Sequence, residues 1–574
     1  MLCFKSCFNL PRFSIIVKDS YFESSFAIDL ANIMDITTNS DYALKEFYLG
    51  SRKFQFVADA VGLPIDQVNF ILAQVLALLF AYFFRVFLHP NNVSAASRHW
   101  TALSAGLCIS YFCFGKQVLL AVLLVVVCYF LLNLLPPSIF HHATLLVSIT
   151  FLSVIHIQRQ FYEDGLFVAD ITGPLMIIVQ KTTTLAYSLN DGLVKNISAL
   201  TPLQKKYALK SKPSALEYFG YLMNFQSILA GPFFMFTDYH DYIEGTHYIR
   251  CESYKKQRLS SIPEEISCNN NKLTEMATST ETASRKMGFH DELKKSEPCS
   301  TRAAMHKTFF AFISALIVVF IMPNFPINYL AEPSFFASSM TYKLSYIVIT
   351  TSLVRNVYYC AWFLGEAVCI MAGIGFNGYD EKGNSKWDLV SNVRYIGVEF
   401  GTSLKVVLDS WNIGTMKWLR YIVYERAAKQ KTLLTYLLSS LWHGFYPGYY
   451  LTFLGGAFFT VVSRTVRRYV RPHILKCGSG VKALYDFLTF IATRLCLSYM
   501  VFPFVLLSCL RYYLHVLGLL AIFILPLASP VKERQKGGSK TPESKPINGI
   551  NSNILKESFG CKKIVEEISQ KKID

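Results

Sequence analysis

The chain has 574 residues, of which 52% are hydrophobic, 15% aromatic and only 17% charged. A soluble protein carries about a quarter charged residues; with apolar runs recurring from about Ile71 to Leu527, the balance excludes a string of soluble domains and points to a polytopic membrane protein. The formal net charge of +17 fits Lys and Arg retained on the cytosolic side, and no basic soluble module suggests nucleic-acid binding.

Residues 1 to about 60 contain Lys5, Arg12, Lys18 and Asp19 and no long apolar core, so they read as a poorly structured N-terminal extension, not a clean signal peptide. A spanning helix needs about 20 mostly apolar residues. The clearest candidates are Ile71–Leu88, Leu119–Leu135, Ala143–Ile155, Phe309–Met322, Leu344–Ala372, Tyr449–Val462, Phe487–Leu507 and Tyr512–Leu527. Weaker ones are Ala102–Phe114, Gly173–Tyr187 and Tyr218–Phe236. Several are short or broken by Pro and Gly, which predicts tilted or re-entrant helices buried in protein or lining a cavity. The expectation is about eleven spans in an all-α bundle.

Polar segments punctuate the bundle. Residues 251–307 hold ten Lys/Arg and eight Asp/Glu among Ser, Thr and Asn and read as a flexible loop. Residues 373–432 are polar but aromatic and predict short interfacial helices. Residues 531–574 form a basic tail read as disordered. Its end, Lys571-Lys572-Ile573-Asp574, resembles the dilysine retrieval signal of endoplasmic reticulum membrane proteins. The domain expected between extension and tail runs over residues 61–530.

Within the apolar stretch from about Leu433 to Val462 stands Leu441-Trp442-His443-Gly444-Phe445-Tyr446-Pro447-Gly448-Tyr449-Tyr450. An ionisable group inside an apolar segment is costly and usually faces a bundle interior or a wet cavity. His443 has the chemistry of a general base near neutral pH; its bland reading is a histidine satisfied by a backbone carbonyl between helices. Upstream, helical spacing places Trp411, Thr415 and Trp418 on one face, as in a helix lying at the headgroup level. The 14 cysteines are scattered, with no Cys/His cluster at metal spacing, so no metal is expected.

Taken together, Trp411-Asn412…Trp418 and Trp442-His443-Gly444…Pro447-Gly448-Tyr449-Tyr450 resemble the membrane-bound O-acyltransferase family. Further matches are Leu63-Pro64-Ile65-Asp66-Gln67-Val68-Asn69-Phe70, Asp170-Ile171-Thr172-Gly173-Pro174 with Gln180-Lys181, Leu229-Ala230-Gly231-Pro232, Tyr358-Tyr359-Cys360-Ala361-Trp362 and Gly375-Phe376-Asn377-Gly378-Tyr379-Asp380. The resemblance covers roughly residues 60–527 and looks strongest to its lysophosphatidylserine and lysophosphatidylethanolamine acyltransferases. It implies a multi-pass endoplasmic reticulum enzyme whose helices surround a central tunnel. The implied reaction moves an acyl chain, unsaturated in that branch, from acyl-CoA as co-substrate to the free hydroxyl of a lysophospholipid, with no bound cofactor.

His443 and Asn412 map onto the two family residues. His443 is implied as the base, and Asn412 as oxyanion donor or substrate positioner. Trp411, Trp442, Phe445 and Tyr446 are candidate walls of the site. Lys417 and Arg420, with Arg426 and Lys429 beyond them, are candidates for the phosphates of coenzyme A; Asp380, Glu381 and Asp388 are weaker candidates for a headgroup ammonium. The alternatives are the same fold acting on a sterol, diacylglycerol or protein, and a transporter using His443 as a proton relay. The transporter reading predicts paired charges across the spans, where the sequence offers isolated ones such as Arg85 and Arg355, and no inverted repeat.

Overall fold

The computed structural model describes residues 48–162, 169–247 and 298–507. The predicted span Tyr512–Leu527, the tail, most of the 251–307 loop and residues 1–47 lie outside them. The described residues are helical, with one isolated bridge between Tyr379 and Ser385.

In chain order the principal helices are α1 (Gln55–Val61), α2 (Ile65–Phe87), α3 (Ala95–Phe114), α4 (Val118–Leu134), α5 (Phe140–Tyr162), α6 (Thr172–Leu193), α7 (Ala215–Met223) and α8 (Phe236–Glu244). They continue as α9 (Thr301–Leu316), α10 (Met340–Ala372), α11 (Tyr395–Glu399), α12 (Leu404–Ser410), α13 (Ile413–Leu419), α14 (Lys431–His443), α15 (Pro447–Tyr469) and α16 (Ser479–Leu506). Among the described residues six helices are long and apolar enough to cross a membrane: α2, α3 continued into α4, α5, α9 with its extension to Asn324, α10 and α16. Their lipid-length apolar surfaces dictate insertion, because in hydrocarbon every backbone polar group must be paired within the segment.

The extension expected up to residue 60 gives way earlier to packed structure. Tyr48, Ala58, Ile65 and Val68 form a small buried cluster, and Asn69 Nδ2 donates to the Tyr48 hydroxyl at 2.8 Å. Arg355 is not isolated as its sequence context implied. Its Nε and a terminal nitrogen grip both oxygens of Glu399 at 2.8 and 2.6 Å, forty-four residues away on α11, and Tyr359 donates to the same carboxylate.

Two predicted elements come out differently. The candidate span Tyr218–Phe236 is broken into α7, an irregular stretch from Asn224 to Met235, and α8. That stretch is deeply buried, with Phe225, Ile228 and Phe234 at most 2% exposed. Its polar groups are met by protein: Lys181 Nζ donates to Ser227 Oγ (2.6 Å), with a second bond to the Tyr221 carbonyl at the end of α7 (2.8 Å), and Cys369 Sγ donates to the Gln226 carbonyl. Non-helical backbone at this depth is tolerated for that reason.

The apolar run from Leu433 to Val462 forms two helices, α14 and α15, parted at Gly444–Tyr446 with Pro447 opening the second, and the predicted segment Tyr449–Val462 lies within α15. The face predicted to unite Trp411, Thr415 and Trp418 does not exist as one helix. Asn412 has a left-handed backbone, φ 46° and ψ 54°, so Trp411 ends α12 while Thr415 and Trp418 ride on α13.

Candidate active site

His443 is the last residue of α14, placed there by the positive φ of Gly444 (121°), which stops the helix. Its Nδ1 lies 2.7 Å from the Ser439 carbonyl oxygen. A carbonyl oxygen only accepts, so Nδ1 carries the hydrogen and the lone pair of the neutral ring sits on Nε2. Aromatic rings box the imidazole: Trp442 and Phe453 with centroids at 4.7 Å, Phe504 at 5.3 Å and Tyr449 at 6.0 Å. The bland reading of a histidine held by a backbone carbonyl is therefore true of Nδ1, and it leaves Nε2 as the ring's basic atom.

The supports of this ring come from α6. The Trp442 indole N–H donates to the Met176 carbonyl at 3.0 Å, and its ring packs on Trp418 at 5.6 Å. Trp418, fully buried, donates to Thr183 Oγ1 at 2.9 Å, and Gln180 Nε2 donates to Thr415 Oγ1 at 2.8 Å. The polar stripe of α6 thus holds α13 and α14 in one register. Trp442 is 4% exposed with its polar atom spent on α6, which makes it a strut of the site.

Asn412 is half-buried, and its side chain does not cap α13. Its backbone is fixed by the next two peptide N–H groups, since Ile413 donates to the Asn392 carbonyl (2.8 Å) and Gly414 to Asn392 Oδ1 (3.1 Å). Asn392 in turn donates its N–H to Glu366 Oε1 at 2.7 Å, and Glu366, fully buried, pairs with Lys307 at 2.6 Å. Trp411, beside Asn412, packs against Trp362 (4.8 Å), Tyr358 and Tyr359 (both 5.8 Å). Tyr449 closes the other cluster, its ring tilted against that of His443 at 6.0 Å, so each signature residue stands beside aromatic rings of its own. Tyr446 packs on Tyr449 at 5.9 Å.

The predicted phosphate ligands fare unequally. Lys417 donates to the Tyr207 hydroxyl at 2.9 Å and lies 3.7 Å from Asp238. Arg420 is exposed and bonded to Glu425 at 2.9 Å. Arg426 is not available: its two terminal nitrogens hold Asp191 at 2.8 and 2.6 Å while its guanidinium lies between the Tyr187 and Tyr421 rings. Of the predicted ammonium ligands, Asp380 is bonded within its own loop. The Asn384 side chain, together with the Asn384 and Lys382 N–H groups, holds its carboxyl below the usual range. Asp388 accepts from Asn377.

Sequence reasoning missed Glu366, Asn392 and His156. Glu366 and His156 carried a usable signal as isolated ionisable residues within apolar runs; Asn392 carried none.

The profile of the family described as MBOAT, membrane-bound O-acyltransferase, matches residues 157–502. The chain is 42% identical over 490 residues to "Lysophospholipid acyltransferase 6" of Drosophila melanogaster, covering 83% of this chain and 64% of that longer protein. It is 36% identical over 513 residues to "Membrane-bound glycerophospholipid O-acyltransferase 1" of Homo sapiens, covering 88% of this chain and 96% of the human one. It is 32% identical over 373 residues to "Lysophospholipid acyltransferase" of Schizosaccharomyces pombe, covering 63% and 65%. The chain belongs to the membrane-bound O-acyltransferase family and is a multi-pass membrane O-acyltransferase.

Proposed function

We propose that this protein is an acyl-CoA:lysophospholipid O-acyltransferase of the endoplasmic reticulum that rebuilds phospholipids with unsaturated acyl chains, using lysophosphatidylethanolamine or lysophosphatidylserine as acceptor. The names of the relatives support a lysophospholipid acceptor. The observation that carries the chemistry is the Nδ1–H bond from His443 to the Ser439 carbonyl, which reserves Nε2 for proton transfer.

In the reaction, the free glycerol hydroxyl approaches Nε2 of His443 and loses its proton as its oxygen attacks the thioester carbonyl. The carbon–oxygen ester bond forms, the carbon–sulfur bond breaks, and the proton passes to the departing thiolate of coenzyme A. Asn412 serves as amide donor to the developing oxyanion, a role worth about 2.7–4 kcal/mol in other acyl-transfer sites. The rings of Trp411, Tyr358, Tyr449, Phe453 and Phe504 keep bulk water from the thioester. Lys417 and Arg420 are the cations proposed for the coenzyme A phosphates, and Tyr446 lines the approach.

The test is acyl transfer from labelled oleoyl-CoA to a panel of lysophospholipids, in microsomes from a host of low background, comparing wild type with His443→Ala at equal expression. Loss of one product in the variant supports the reading and names the headgroup. An active His443→Ala enzyme overturns the base assignment, and a well-expressed wild type that acylates no lysophospholipid overturns the acceptor.

A further inference from the structure

His156 lies on α5, far from both signature segments in sequence and outside every motif that identifies the family. Only 9% exposed, it presents Nε2 to the Trp442 carbonyl oxygen at 3.2 Å. Its ring also lies against the turn that follows: a Cβ built on Gly444 would stand 3.2 Å from His156 Cγ and 3.4 Å from its Nδ1. The imidazole therefore touches the residues on either side of His443 without being bonded to His443 itself.

The terminal carbonyls of a helix have no partner within it, and a buried one must find a donor elsewhere. At the end of α14, Gly444 N–H satisfies Ser440 and the His443 ring adds a bond to Ser439. The Trp442 carbonyl is met from another helix, by His156. Because that oxygen only accepts, His156 carries its hydrogen on Nε2. Residue 442 is thus held at both ends, its indole by Met176 on α6 and its carbonyl by His156 on α5. The peptide plane between Trp442 and His443 is thereby fixed, and with it the direction in which the His443 side chain leaves the backbone. Arg159 and Asp170 are the charged groups within electrostatic range of His156, as is His443.

We propose that His156 is a positioning residue for His443: a cap supplied by a neighbouring helix that aims the catalytic ring by holding the Trp442 carbonyl. The inference rests on the reading of His443 as the base. A misplacement near 1 Å costs an active site on the order of a hundredfold in rate, so the cap acts on turnover and leaves the substrate sites alone.

The experiment measures kcat and KM for oleoyl-CoA, with lysophosphatidylethanolamine and lysophosphatidylserine as acceptors, on detergent-purified full-length enzyme normalised to the monodisperse fraction. The variants are His156→Leu, which keeps bulk and removes the donor, and His156→Gln, whose amide N–H reaches the place of Nε2. His443→Ala is run alongside. The expected result is a kcat about ten- to hundredfold lower for His156→Leu, an oleoyl-CoA KM within about twofold, and recovery of most of the kcat in His156→Gln. A His156→Leu enzyme with wild-type kcat overturns the proposal, and so does an equal loss in Leu and Gln. If the Leu variant yields no folded protein, Gln decides: near-normal turnover supports the cap and a large loss refutes it. An active His443→Ala enzyme overturns the base reading instead, whatever His156 does.

Discussion

Trp418 hands its indole N–H to Thr183 Oγ1 at 2.9 Å across 235 residues of chain, and this bond ties the helix that follows Asn412 to α6. Both partners are buried to the last percent. Thr183→Val keeps the shape and strands the indole donor, at a cost of about 1–3 kcal/mol. Trp418→Phe removes the donor and leaves the hydroxyl its second bond, to the Val179 carbonyl. The double variant is expected to cost less than the two single changes added together. Thermal unfolding in detergent checks this, and strict additivity would show that the bond does not couple the helices.

Arg426 provides the sharpest separation between a substrate ligand and a structural clamp. Its bidentate hold on Asp191, whose side chain is fully buried, sits between two tyrosine rings. Breaking such a pair by removing one partner costs about 3–5 kcal/mol. Arg426→Gln is therefore expected to lower the melting temperature strongly while the surviving enzyme keeps its KM for acyl-CoA. A stable Arg426→Gln protein with a raised acyl-CoA KM would restore the residue to the coenzyme site.

Gly444 and Gly62 make a contrasting pair, the first at φ 121° and ψ −159°, the second in the left-handed helical region at φ 66° and ψ 28°. Both have positive φ, but nothing lies within 4 Å of a Cβ on Gly62, whereas one on Gly444 meets His156. Gly62→Ala is expected to cost about 1–2 kcal/mol of stability from backbone strain alone and to leave turnover intact. Gly444→Ala adds a tight contact with His156 to a backbone that glycine alone adopts readily, and is expected to lower kcat at least tenfold, since about 1.4 kcal/mol at the transition state already suffices. Equal activities in the two variants would detach the turn from catalysis.

The chain from Lys307 through Glu366 and Asn392 to the backbone after Asn412 predicts a graded response. Glu366→Gln keeps an oxygen for the Asn392 N–H, while Glu366→Ala removes it and leaves the partly buried Lys307 without its partner. Turnover is expected to fall in the order wild type, Gln, Ala, with the Ala variant also losing about 1–3 kcal/mol of stability as the buried Asn392 N–H goes unpaired. An Ala variant with full turnover would show that Asn412 holds its place without this support.

How much of this was legible in the sequence follows from how local each feature is. The long helices announced themselves because apolar length belongs to a segment alone: α2, α5, α10 and α16 contain or overlap the stretches read as spans. The two signature residues were reached through motif resemblance, and the structure builds an aromatic box around one and a strained backbone at the other. The breaks were not foreseen in place, though Gly231-Pro232 and Gly444 with Pro447 marked them. A stretch such as 224–235 can stay unwound at that depth because Lys181 and Cys369, distant in sequence, meet its Ser227 hydroxyl and Gln226 carbonyl. The same nonlocality hid the pairing of Arg355 with Glu399 and of Arg426 with Asp191. Periodicity also misled at Trp411, where a single left-handed residue cancels a face that spacing alone predicts.

That left-handed residue changes how the asparagine can be interrogated. Asparagine visits this region of backbone space more readily than most side chains, and glycine visits it freely. Alanine at position 412 therefore makes two changes at once, deleting an amide and straining a turn that Asn392 holds from behind. Glycine deletes the amide and relaxes the turn. The gap between Asn412→Ala and Asn412→Gly measures the shape that position must keep, and the deficit left in the glycine variant measures the chemistry of the amide.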